Sequence, residues 1–228
     1  MATVAAQPLA LRRWKRWELL TGVVFTVLLF VGQDILVLGA PGENSSARKI
    51  SSYYADKGNY HQVVAGKLLV MLSAVFLIWF VSLVTSRLRV AEGEPGKLAR
   101  TAFAGGIACA VFLGAQTVFG TAIASGFDFS KEFRHGNLDP QLVRLFDQIG
   151  YSLLILALLG AAVLIGASSI LARRVSVFPA WLGWSGLGVA IVLIPASTVA
   201  PVGVVLLALW SASVSAALLL EARVVGKP

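Results

Sequence analysis

Charge is scarce in this chain, and residues that carry chemistry are scarcer still. Only 13% of its 228 residues are Asp, Glu, Lys or Arg, about half the share of an ordinary soluble domain. Its single cysteine, Cys109, excludes an internal disulfide and a thiolate metal cluster. Inside an apolar run it reads as a small hydrophobe, since a reactive thiol needs an exposed electropositive setting. The two histidines, His61 and His135, fall in no HxH, HxxxH or HExxH spacing. A metal site needs three or four ligands in fixed geometry, so no metal and no cofactor is expected. A Gly-x-Ser-x-Gly turn is missing as well. Gly93-Glu94-Pro95-Gly96-Lys97 lacks the spacing and the hydroxyl of a phosphate-binding loop. No pair of aspartates within the apolar runs suggests an intramembrane protease.

What the chain has is apolar length. Hydrophobic residues make up 57% of it, in six stretches at about 18–39, 62–85, 101–125, 149–172, 179–198 and 201–222. A hydrocarbon layer about 30 Å thick is crossed by roughly 20 helical residues. Backbone amides cannot remain unpaired in lipid, so each stretch is expected to be helical. The reading is all-α: one polytopic six-transmembrane-helix bundle over 1–228, with short amphipathic helices in its outer loops. Arg12, Arg13, Lys15 and Arg16 before the first stretch imitate a signal peptide, but the apolar run is longer than a signal core. Gly39-Ala40-Pro41 is also a poor cleavage site, so a retained first span is expected.

The net charge of +8 does not point to nucleic acid, because the basic residues punctuate the spans and form no stripe interleaved with aromatics. Twelve fall on one side of the expected membrane: the first four, then Arg87, Arg89, Lys97, Arg100, Arg173, Arg174, Arg223 and Lys227. Six fall on the other: Arg48, Lys49, Lys57, Lys131, Arg134 and Arg144. The bias predicts both termini in the cytoplasm of a cell whose plasma membrane holds the chain. It also makes anionic lipid headgroups the expected partner there. Trp14, Trp17, Trp181 and Trp184 fall at the same interface, where amphipathic rings are favoured.

Two long outer loops, at about 40–61 and 126–148, carry local signals. A short helix from Ser45 to Lys57 is expected, ending at Gly58-Asn59, with Ile50, Tyr53, Tyr54 and Lys57 on one face. In the other loop Asp139 would cap, Pro140 would take the first helical position, and Leu142, Leu145, Phe146 and Ile149 would form a stripe running into the fourth span. Both segments are expected to lie against the outer surface of the bundle. Gly66 to Arg89 and Gly150 to Arg173 share one interval, a faint sign of an internal repeat.

Ionisable residues inside spans are costly and mark function by default. Asp34 and Lys67 qualify, at matching depths on sequential spans, and are expected to face each other as an ion pair with Gln33 assisting. A structural lock of the hairpin, or snorkelling to the interface, explains them equally. Gln116 and Thr117 lie deeper, either as interhelical glue or as the lining of an outward pocket. Gly106, Ala110 and Gly114 repeat at the spacing that lets helices approach closely, which makes the third span the expected centre. Ser211, Ser213 and Ser215 share no face and are expected to bond back to their own helix. His61, His135, Asp56 and Asp128 are the outer-loop candidates. Asn44-Ser45-Ser46 matches a glycosylation sequon.

Tyr53-Tyr54-Ala55-Asp56-Lys57-Gly58-Asn59, Phe127-Asp128-Phe129 and Phe178-Pro179-Ala180-Trp181-Leu182-Gly183-Trp184 occur in that order along the chain. The chain thereby resembles small six-helix membrane proteins of actinobacteria, within a domain-of-unknown-function family. The resemblance spans nearly the whole chain and implies fold and location without an activity. Three functions compete. The favoured one is a non-enzymatic protein that binds lipid or a membrane partner, as a homo-oligomer or otherwise. The second is a small transporter whose outward pocket holds Asp34, Lys67 and Gln116. The third is a lipid enzyme at the outer face.

Overall fold

The computed structural model describes residues 20–37, 41, 45–46, 48–49, 52–53, 56–129, 140–175 and 179–225. They form six helices: α1 (Thr21–Val37), α2 (Lys57–Glu92), α3 (Lys97–Phe129), α4 (Pro140–Val175), α5 (Ala180–Ala196) and α6 (Ala200–Val225). The fold is all-α. Four helices, α2, α3, α4 and α6, are long and apolar enough to cross a membrane. The described parts of α1 and α5 are apolar and 17 residues long, about 26 Å each, a little short of a hydrocarbon core.

Each helix packs on the next in sequence from α1 to α6, and α6 returns to α1, which closes a ring. α4 also touches α2 and α6 across it. Phe25, Leu29, Leu77, Phe80, Leu113, Leu158, Ile165 and Leu193 are fully buried or nearly so within the ring. Large apolar side chains also cover the outside, among them Leu68, Trp79, Val111, Val163, Ile191 and Leu209. A soluble monomer does not expose so continuous an apolar surface; hydrocarbon is the solvent that suits it.

The closest approach is between α3 and α4. A Cβ built on Gly160 would stand 2.7 Å from the Cys109 backbone nitrogen, and one on Gly105 would stand 2.8 Å from the Gly160 carbonyl. Ala157, Ala161 and Cys109 are completely buried in the same contact. Gly106 faces the other way, with the Val81 side chain of α2 2.5 Å from its missing Cβ. α3 therefore carries two adjacent small-residue faces, Gly105 with Cys109 toward α4 and Gly106 with Ala110 toward α2. Gly114 continues the second face more loosely, its built Cβ 3.9 Å from that of Ala74.

The outer loops differ from expectation. Gly58 and Asn59 do not end a helix; they lie in the first turn of α2. Asp56 caps that helix, accepting from the Asn59 backbone nitrogen at 3.0 Å. Of the preceding segment, Tyr53 is buried against Val63, beside Leu36, Tyr60 and Val64, and burial pushes its phenol above the ordinary tyrosine value. Ile50 and Tyr54 lie outside the described residues. On the far side Pro140 does occupy the first position of α4, and the helix runs unbroken into the membrane region. The residue buried there is Val143, whereas Leu142 and Leu145 are exposed; Phe146 packs on Phe119 of α3. Asp139 lies outside the described residues. Gly66 and Gly150 each abut the preceding helix, at the Gly32 and Gln116 carbonyls respectively.

A tight turn joins α2 to α3. Gly93 and Gly96 take φ values of 74° and 61°, a region that side chains with a Cβ rarely adopt. The Glu92 carboxylate then reaches over the turn and accepts from the Leu98 and Ala99 backbone nitrogens at 3.0 and 2.9 Å. It satisfies two of the four orphan donors that any helix start leaves. Glu92→Ala is expected to speed hydrogen exchange at the Leu98 and Ala99 amides while leaving the middle of α3 protected. Unchanged exchange at those two amides would show that the carboxylate does not hold the turn.

Candidate functional site

Lys67 finds its opposite charge on a different helix from the one its sequence position suggests. It is half-buried on α2, and the carboxylate that acts on it electrostatically is Asp147 of α4. Asp34 is exposed on α1, as Asp147 is on α4, and the charge acting on Lys67 is that of Asp147, across the ring, rather than the expected Asp34. α2 and α4 each have 36 residues and are about 54 Å long, so their ends project well beyond hydrocarbon. Lys67 is ten residues from the start of α2 and Asp147 seven from the start of α4. Both therefore fall near the boundary between hydrocarbon and headgroups, where a charged pair is least costly.

Gln33 is half-buried beside Asp34. Among the described residues its amide nitrogen is buried and meets no acceptor. Gln62, not singled out from sequence, donates to the Ile35 carbonyl at 2.9 Å and ties α2 to the end of α1. Gln116 and Thr117 are both buried on α3. The Thr117 hydroxyl donates to the Gly114 carbonyl at 2.6 Å, and Thr121 donates to the Thr117 carbonyl at 2.8 Å. Gln116 meets α4 at Gly150, about one turn deeper than Asp147. Gln116 thus belongs to the α3–α4 seam, while the charges sit above it.

The outer-loop candidates do not converge. Asp56 serves as a helix cap. His61 is exposed with its ring edge-on to Tyr60 at 5.2 Å. Asp128 lies in the last turn of α3 and its side chain, like all of His135, lies outside the described residues. Among the described residues no three His, Cys, Asp or Glu side chains come together. Arg144 donates to the Ser45 carbonyl at 2.8 Å and so holds the first outer loop to α4. Ser211 and Ser213 bond back to the Leu207 and Leu209 carbonyls, whereas Ser215 is buried without a partner among the described residues.

A cavity bounded by Ser168, Ser169, Leu182 and Trp210 has a volume of about 10 Å³, the space of a single water. The roomy polar site is at the rim, beside the α2–α3 turn. A groove of about 300 Å³ is lined there by Ser82, Thr85, Ser86, Arg89, Ala99, Arg100 and Phe103. The glycine turn brings Arg89 and Arg100 to the same mouth although eleven residues separate them. Glu94 stands between them, 3.8 Å from one guanidinium and 4.0 Å from the other, beyond hydrogen-bond reach of both. Arg100 also donates to the Pro95 carbonyl. At the same end of the bundle the Arg173 guanidinium lies 3.5 Å over the ring of Trp184, a cation–π contact that sequence reading did not identify. No family model, curated protein or solved structure matches this chain.

Proposed function

We propose that this is a non-enzymatic integral membrane protein that binds lipid or a membrane partner at the rim of a closed bundle. In this reading α1 and α5 complete six crossings, both termini are cytoplasmic, and the membrane is the plasma membrane. Kinship with the actinobacterial six-helix proteins, resting on residues 53–59, 127–129 and 178–184, belongs to the same proposal. The supporting observation, among the described residues, is a groove of about 300 Å³ at the rim that holds two arginines, beside a cavity of only about 10 Å³ between α4, α5 and α6. A solute path requires polar room between the helices, and a lipid site requires it on their outside. The Lys67–Asp147 pair at the outer end favours a transporter as the second reading.

The two readings separate in vesicles. The purified full chain is expected to retain phospholipid through detergent exchange, read by native mass spectrometry. Proteoliposomes are expected to remain as tight to small solutes as protein-free vesicles in stopped-flow light scattering. A solute flux that Lys67→Met or Asp34→Asn abolishes without loss of folded protein would overturn the accessory reading. Orientation is checked by labelling intact cells. Cys109 is completely buried, so cysteines introduced as Ser46→Cys and Glu94→Cys report without background. Ser46→Cys is expected to react with an impermeant maleimide and Glu94→Cys to be protected; the reverse pattern would invert the topology.

A further inference from the structure

We propose that the groove at the α2–α3 turn is a binding site for the phosphate of an anionic phospholipid. This deepens the lipid-binding reading by naming the site and the lipid class. Arg89 and Arg100 stand at one mouth, and guanidinium forks match phosphate oxygens in a way a single ammonium does not. Glu94 is their present counter-ion, but it is held loosely: its side chain is 82% exposed and those of the two arginines 62% and 61%. Ion pairs of this kind contribute little, so a phosphate displaces the carboxylate without breaking a strong contact. Below the arginines Phe103 faces outward, 43% exposed, and provides a wall for an acyl chain. Basic pockets between membrane helices are a recurring form of lipid site.

The test uses the full chain in phosphatidylcholine nanodiscs with spin-labelled phosphatidylglycerol, and reads the association of the label relative to labelled phosphatidylcholine. Arg89→Gln and Arg100→Gln are each expected to lower that preference about fivefold, and the double variant about 25-fold. Glu94→Gln is expected to raise it by about threefold, a gain that misfolding cannot produce. Arg173→Gln, which changes the same net charge at Trp184 outside the groove, is expected to leave it within about twofold.

A loss with Arg173→Gln equal to that with Arg89→Gln would show diffuse surface attraction and overturn the site. Failure of Glu94→Gln to increase association would do the same. Displacement of the label by millimolar inorganic phosphate would show a site for the free anion and overturn the lipid assignment. A chain that conducts solute fails the flux test of the accessory reading and still gives a clear answer here.

Discussion

Gly160→Leu is expected to abolish the folded bundle, the largest single effect available in this chain. The argument is geometric. Even a methyl group at position 160 would stand 2.7 Å from the Cys109 nitrogen and 2.9 Å from the Gly105 carbonyl. Those are backbone atoms of a helix and cannot swing aside as a side-chain tip does. Relief requires α3 and α4 to move apart, which opens the seam that buries Ala157, Ala161 and Cys109. Overpacking in a close-packed interior costs about 1–3 kcal/mol for modest insertions, and alanine at 160 regains about 1 kcal/mol of helix propensity over glycine. Gly160→Ala is therefore expected to lower the midpoint of thermal unfolding in detergent, and Gly160→Leu to leave no monodisperse peak in size-exclusion chromatography. Gly114→Ala is the matched control, because its new methyl would meet Ala74 at an ordinary 3.9 Å. It is expected to be neutral or slightly stabilising. Equal loss of folded protein in Gly114→Ala and Gly160→Ala would show that α3 tolerates no methyl anywhere, and the distinction between its faces would fail.

That contact also marks how much the chain discloses before its structure is seen. Small residues at four-residue intervals on the third apolar stretch announce a helix that others approach closely, and α3 does pack on both α2 and α4. Sequence singled out Gly106, Ala110 and Gly114. It did not identify Gly105 and Cys109 as a second face, because their counterpart, Gly160, lies more than fifty residues away and pairs with them only in space. Apolar length gave the helices but not their ends. Hydropathy falls where a helix leaves hydrocarbon, whereas the helix itself continues: α3 reaches Phe129 and α4 begins at Pro140. Pro140 carried the signal for the second of these, since proline is favoured at a first helical position. The groove at the rim was the least legible feature. Arg89 and Arg100 read as topology signals one by one, and only the turn through Gly93 and Gly96 turns two such signals into one site.

The same shift of a helix boundary explains the charge pair, and here a double-mutant cycle gives the second large effect. Placed in a loop, Asp147 is an ordinary solvated carboxylate. Placed on α4 near the headgroup boundary, it becomes the counter-ion of Lys67, and sequential neighbours no longer limit the choice of partner. A charge at this depth is tolerated when paired and costly when its partner is removed. Lys67→Met and Asp147→Asn are each expected to lower the unfolding midpoint, and the double variant to recover part of the loss. The coupling expected is about 0.5–1 kcal/mol, the low end of the range for groups that share a network. Asp34 is exposed on α1, as Asp147 is on α4, but it is not the carboxylate that acts on Lys67, so Asp34→Asn is expected to change stability by less than about 0.5 kcal/mol and to show no coupling to Lys67. Measured coupling between Lys67 and Asp34 with none to Asp147 would mean that α1 and α2 form the charged hairpin after all. The electrostatic link across the ring would then be lost.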